Sequence, residues 1–198
     1  MIKIQAQSKL PTDFGNFKIV AFSDTEDNWM PHIALISDTT NYEEVVNVRI
    51  HSECITGEIF HSQKCECGQQ LDASMKYIDK NGGIILYLRQ EGRNIGIINK
   101  IRAYQLQELG FDTVEANLQL GLPADDRNFD VAIEILNILG VKRINLLTNN
   151  PEKQSFIENS NIQLVKRIPL NIKANHINKS YLQTKKIYFG HHLEEALS

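Results

Sequence analysis

Three cysteines, all that the chain contains, fall at Cys54, Cys65 and Cys67 in the pattern C-x10-C-x-C. Thiolate sulfur is a soft donor that suits zinc, and a purely structural zinc site normally closes its tetrahedron with four protein ligands. Three cysteines leave a position for water, and metal-held water can ionise near neutral pH to become a hydrolytic nucleophile. Two plainer readings share the spacing. The cysteines are unrelated small apolar side chains, or His51 or His61 closes a structural site. The odd count and the absence of anything like a secretory signal in MIKIQAQSKL argue against a disulfide.

Other chemistry-bearing residues gather where strands should end. The run VVNVRI (45–50) reads as a strand that delivers Arg49, His51, Ser52 and Glu53 directly into Cys54. That is either the wall of a site or a strand surfacing into solvent. IILYLRQ (84–90) reads as a buried strand followed at once by EGRNIG (91–96), whose glycines permit a tight turn and whose Glu91 and Arg93 bring charge to the strand end. RINLLTNN (143–150) leads into PEKQSFIEN (151–159), a helix with proline in its first turn. The amides at that start, with Lys153 beside them, offer an anion site.

The remaining elements have to position these ends. FKIVAF (17–22) and HIALIS (32–37) complete a β-rich start over residues 1–53, punctuated by DFGN and SDTTNYEE. Leu71, Met75 and Ile78 recur at helical spacing before Asn81-Gly82-Gly83 stops that helix, and Ile97, Ile101, Tyr104 and Leu106 mark a second helix closed by Gly110. Residues 113–127 lack periodicity and read as a long loop, functional or mobile. The loop ends in Asp125, Asp126 and Arg127, and one of the aspartates is expected to cap the helix over 129–140. IQLVKRIPL (162–170) supplies a last strand, 171–180 a polar connector, and 181–190 a helix before a polar tail. Alternating strands and helices after residue 67 predict an α/β fold: a layered mixed sheet flanked by helices, one domain over 1–198 whose second part, 54–198, holds the site.

Composition narrows the partners. A formal net charge of −3 gives no bulk case for nucleic acid, and the longest apolar run is too short to span a bilayer. The expected setting is cytoplasmic, where thiols stay reduced.

Taken together, RIHSEC, KCECG, RQEGRNIG, NKIRAY, DTVEAN, DDRNF and LTNNPEK, in order, with KLPTDFGNF near the start, closely resemble GTP cyclohydrolase II, the enzyme that opens riboflavin biosynthesis. The likeness spans nearly the whole chain and fits a monofunctional form without the synthase domain of bifunctional relatives. It implies hydrolytic opening of the guanine imidazole ring of GTP. Formate and pyrophosphate leave, and 2,5-diamino-6-ribosylamino-4(3H)-pyrimidinone 5′-phosphate remains. It implies one zinc on Cys54, Cys65 and Cys67 holding the attacking water, magnesium on the triphosphate, and a homodimer. Matched position by position, it assigns GTP binding to Arg49, Ile50, His51, Ser52, Glu53, Gln70, Glu91, Gly92, Arg93, Thr113, Thr148 and Lys153. It assigns catalysis to Asp125 as proton acceptor, to Arg127 and to Tyr104. The family's Arg127 is described as a nucleophile toward the α-phosphate, but arginine keeps its proton, so an electrostatic clamp is the easier reading. A GTP-binding zinc protein without turnover, or a related purine-nucleotide hydrolase that stops at a formamide, are the alternatives. Assays of formate and of the products separate them.

Overall fold

The computed structural model describes residues 1–193, 196 and 197. Residues 194, 195 and 198 of the expected polar tail lie outside the described residues. Seven strands form one mixed sheet in the order β1-β2-β3-β5-β4-β6-β7. They are β1 (Lys3–Thr12), β2 (Gly15–Ser23), β3 (His32–Ser37), β4 (Val46–Ser52), β5 (Ile84–Leu88), β6 (Arg143–Leu147) and β7 (Gln163–Ile168). The β-rich start forms an antiparallel half, β1 to β3, that joins β5 in antiparallel register. From β5 through β4 and β6 to β7 every pairing is parallel, so the carboxyl ends of four strands open on one edge. Ligands of α/β sheets sit beyond such ends.

Strand alternation divides the core. Val48, Ile50, Ile84, Leu86, Ile144 and Leu146 face a layer containing Phe129, Ala132, Ile135 and Leu136 of α5 (Asp130–Ile138) and its N-cap, and Ile157 of α6 (Pro151–Glu158). On the other face Ile85 and Leu147 pack with Phe17 against Met75 and Ile78 of α2 (Cys67–Asn81). Because the period is two, Arg49 and His51 fall on the α2 face while Ile50 between them joins the opposite core. The expected helices over 67–81, 97–109, 129–140, 151–159 and 181–190 are present, the second as α3 (Gly96–Glu108) and the last as α7 (Lys179–Phe189). Among the described residues no helix is long and apolar enough to cross a membrane.

Three local expectations need correction. The supposed loop from 113 begins as a helix, α4 (Thr113–Gln119), nucleated by a capping box. Asp112 accepts from the amides of Val114 and Glu115, and Glu115 returns a bond to the Asp112 amide at 2.9 Å. Neither Asp125 nor Asp126 caps α5: its N-cap is Phe129, with no side-chain cap. Asp125 faces Arg127 instead, and Asp126 Oδ2 accepts from Asn94 Nδ2. A one-turn helix, α1 (Ile55–Glu58), was not foreseen between β4 and the later cysteines.

Candidate active site

Two helix starts bring the cysteines together. Cys54 is the N-cap of α1 and Cys67 the first residue of α2, so two helix starts place these thiols. Glycines let the two helices touch. A Cβ on Gly68 would lie 2.3 Å from the Gly57 carbonyl oxygen, and one on Gly57 would lie 2.8 Å from Cys65 Sγ and 3.3 Å from Cys54 Sγ. The three sulfurs therefore converge within 4.8 Å of one another, none in a disulfide. Thiol hydrogen bonds from Cys65 and Cys67 hold the Cys54 thiol far below its ordinary pKa against the effect of burial, with help from Lys100. Lys100 Nζ lies 3.1 Å from Cys54 Sγ and 2.8 Å from Glu91 Oε1. Hydrogen bonding to Cys54 conversely raises Cys65 to about 11 and Cys67 well above its ordinary value, so Cys54 is the readily ionised member. Three converging sulfur donors, with no fourth protein donor among the described residues, fit a soft metal such as zinc. Neither histidine joins it: His61 is exposed, and His51 Nε2 lies 2.8 Å from Glu58 Oε1.

Glu58 anchors this corner. Its Oε1 also accepts from the Cys54 amide at 2.8 Å, and its Oε2 accepts from the Tyr87 hydroxyl at 2.5 Å. His51 stacks on Tyr87, and burial lowers its pKa, so it sits as a neutral ring. Glu91 performs a similar service, its Oε2 accepting from the Ile55 amide at 2.6 Å.

The thiols open into a cavity of about 540 Å³, with Ser52, Glu53, Gly92, Arg93, Tyr104, Thr113 and Arg127 also in its walls. Tyr104 hangs from α3 one turn beyond Lys100, and burial pushes its phenol up to about 12. Gly92, Arg93, Asn94 and Gly96 all have positive φ, a left-handed run that folds the β5–α3 turn back and aims Arg93 inward. The Arg93 guanidinium donates to the Ala124 carbonyl and lies 4.5 Å from the Phe189 ring centre. Arg127 grips Asp125 with Nε and Nη2, at 2.8 and 2.5 Å. Burial alone would raise the Asp125 carboxyl, but Arg127 outweighs it and holds the group below the usual carboxylate range.

Arg49, Ile50, His51, Gln70, Glu91, Asp125, Thr148 and Lys153 lie behind these walls rather than in them. Arg49 donates to Leu147 O and to Gln70 Oε1, leaves its buried Nε without a partner, and is lowered by burial to about 10. Lys153, only 4% exposed, donates to Ile50 O at 2.8 Å. Burial, then Arg49, Arg127 and Lys185, depress its pKa strongly. Thr148 accepts from the Asn150 amide just ahead of α6. Sequence reasoning missed Gly57, Glu58, Lys100 and Lys185. Only Lys100 left a usable signal, since it lies four residues before Tyr104 and so shares its helix face.

The sequence profile of the GTP cyclohydrolase II family matches residues 3–169. A GTP cyclohydrolase-2 of Haemophilus influenzae is 50% identical over 98% of this chain and 91% of its own length. One from Campylobacter hominis is 49% identical, over 98% of this chain and 97% of its own. The riboflavin biosynthesis protein RibBA of Bacillus cereus is 48% identical across 96% of this chain, which covers 48% of that longer protein.

Proposed function

The chain belongs to the GTP cyclohydrolase II family, and from that premise we propose how its residues carry the family's reaction: opening of the guanine imidazole ring of GTP with release of formate and pyrophosphate, at the head of riboflavin biosynthesis. The observation that carries this reading is the meeting, in one cavity, of three convergent thiols with the guanidinium groups of Arg93 and Arg127.

Cys54, Cys65 and Cys67 would hold zinc, which when bound supplies a Lewis acid able to lower the pKa of water. Around that position Lys100 balances thiolate charge, while Glu58 and Glu91 fix the backbone of Cys54 and Ile55. Tyr104, protonated at neutral pH, orients the purine or the attacking water by hydrogen bonding. Ser52, Glu53, Gly92, Arg93 and Thr113 line the GTP site. Arg49, Ile50, His51, Gln70, Glu91, Thr148 and Lys153 support it from behind, with Arg49 adding positive field. Arg127 clamps the α-phosphate as a cation, because Asp125 raises its pKa against burial and leaves no neutral guanidine to attack. Asp125 is held weakly basic by the same pairing. It becomes a proton acceptor when Arg127 turns to phosphate and releases its oxygens. Magnesium would accompany the triphosphate and supply neutralising charge there.

We also propose that residues 1–198 act as one domain and pair as a homodimer. Apolar side chains left open on α3, Ile98 at 65% and Ile101 at 50%, support the pairing. Incubation with GTP, zinc and magnesium should yield formate and pyrophosphate. Absence of formate contradicts the reading, and a formamide product on chromatography replaces it with the partial hydrolase.

A further inference from the structure

The family profile ends at residue 169, yet α7 (Lys179–Phe189) builds part of the cavity wall. Tyr181, Lys185 and Phe189 recur every four residues, so they share one face of the helix. All three line the cavity, while Leu182 is buried with Leu193 and Ala196 in a small apolar cluster of its own. The site-facing residues engage groups already described. Arg93 lies between two of them, 4.5 Å from the Phe189 ring centre and 6.0 Å from that of Tyr181. Lys185 Nζ sits 4.8 Å over the Tyr181 ring and donates to Glu66 Oε1 at 2.6 Å. Glu66 lies between Cys65 and Cys67, and its Oε2 is buried without a partner. Beyond the helix, the His192 amide donates to Asn149 O at 2.9 Å, tying the segment to the end of β6.

We propose that α7 is a working wall of the GTP site and that Lys185 is a binding residue for the triphosphate. This rests on the reading of the cavity as a GTP site. Arg49 and Arg93 have no carboxylate in ion-pair contact among the described residues, so the region around Lys185 carries more positive charge than the protein neutralises. A polyphosphate supplies the missing charge. An ammonium has three donors on a flexible stem, so Lys185 can keep Glu66 and give a second hydrogen bond to a phosphate oxygen. The rings of Tyr181 and Phe189 meanwhile hold Arg93 by cation–π attraction.

The test compares inhibition of formate release from GTP by inorganic pyrophosphate and by guanosine, using the full chain loaded with zinc. Lys185→Met keeps the stem and removes the charge. It should raise the pyrophosphate inhibition constant about tenfold while leaving that of guanosine within about twofold, and Lys185→Arg should recover most of the loss. An unchanged pyrophosphate constant, or an equal rise in both, overturns the assignment and leaves Lys185 a structural tether to Glu66. If Lys185→Met does not fold, Phe189→Leu serves in its place. It should weaken pyrophosphate selectively by loosening Arg93, and equal or absent effects overturn the claim for α7. Failure of the cavity reading itself looks different: the wild-type chain would make no formate from GTP, or pyrophosphate would not compete at all.

Discussion

Around the cysteines the charges are paired off: Lys100 serves Cys54 and Glu91, and Glu58 is filled by His51, Tyr87 and the Cys54 amide. Around the arginines they are not. Among the described residues Asp125 and Glu66 form the ion pairs of Arg127 and Lys185, while Arg49, Arg93 and Lys153 rely on carbonyls, an amide side chain and aromatic rings. A buried cation without a counter-charge is costly. On the proposed reading the first region needs only a soft metal, whereas the second is completed by a polyanion. Such preorganisation puts the electrostatic cost into folding and spares the reaction that cost. On the proposed reading, the cavity has a nucleophile-generating corner and a phosphate-holding corner, the two capacities that ring opening and pyrophosphate release require.

The comparison can be broken most forcefully at Arg127. Arg127→Lys keeps the charge but loses the planar fork, and turnover of GTP should fall by about 10²–10³. Wild-type turnover in that variant would remove Arg127 from the account. On the cysteine side, Glu58→Gln weakens the tie on the Cys54 amide, and zinc affinity measured by chelator competition should drop about 10- to 100-fold. Unchanged affinity would mean that Glu58 merely fills space.

Lys153→Met sharpens the contrast. It removes a buried amine whose pKa burial and neighbouring cations depress, so GTP binding should weaken while the melting temperature without ligand rises by a few degrees. A lower melting temperature would show that Lys153 is compensated after all. The smallest effect belongs to His191. Burial, followed by the charges of Lys185, Arg127, Lys153 and Arg93, lowers its pKa from 6.5 to about 2. As pH falls below 6.5 the unfolded chain takes a proton that the folded imidazole refuses, so stability declines progressively toward pH 2. His191→Gln should flatten that part of the ligand-free stability curve, and an identical curve would place His191 in water.

The convergence of the cysteines was legible because ligand chemistry depends on residue type, whereas Asp125 and Arg127 entered only through the family resemblance. The strands and long helices were legible for the same reason that they form, since period-two and helical stripes such as Leu71, Met75 and Ile78 are what the core requires. Residues 113–119 read as loop because a helix of two turns carries too short a stripe, although Asp112 and Glu115 held its capping signal. β1 escaped because it is largely polar and seven of its ten residues are exposed, which leaves only a weak alternation. Lys185 was invisible as a functional residue for another reason. Its meaning lies in a contact with Glu66 across 119 positions, and no local pattern encodes that.

The claim on which the rest depends is that the three thiols form an open metal site serving ring opening. Zinc analysis and zinc-edge X-ray absorption, made on the same preparation whose formate output is assayed, test it most directly. The account predicts one zinc per chain, a shell of three sulfurs with one lighter atom, and loss of formate when the metal is stripped from folded protein. Full formate release from metal-free protein, or a shell closed by four protein ligands, would contradict it.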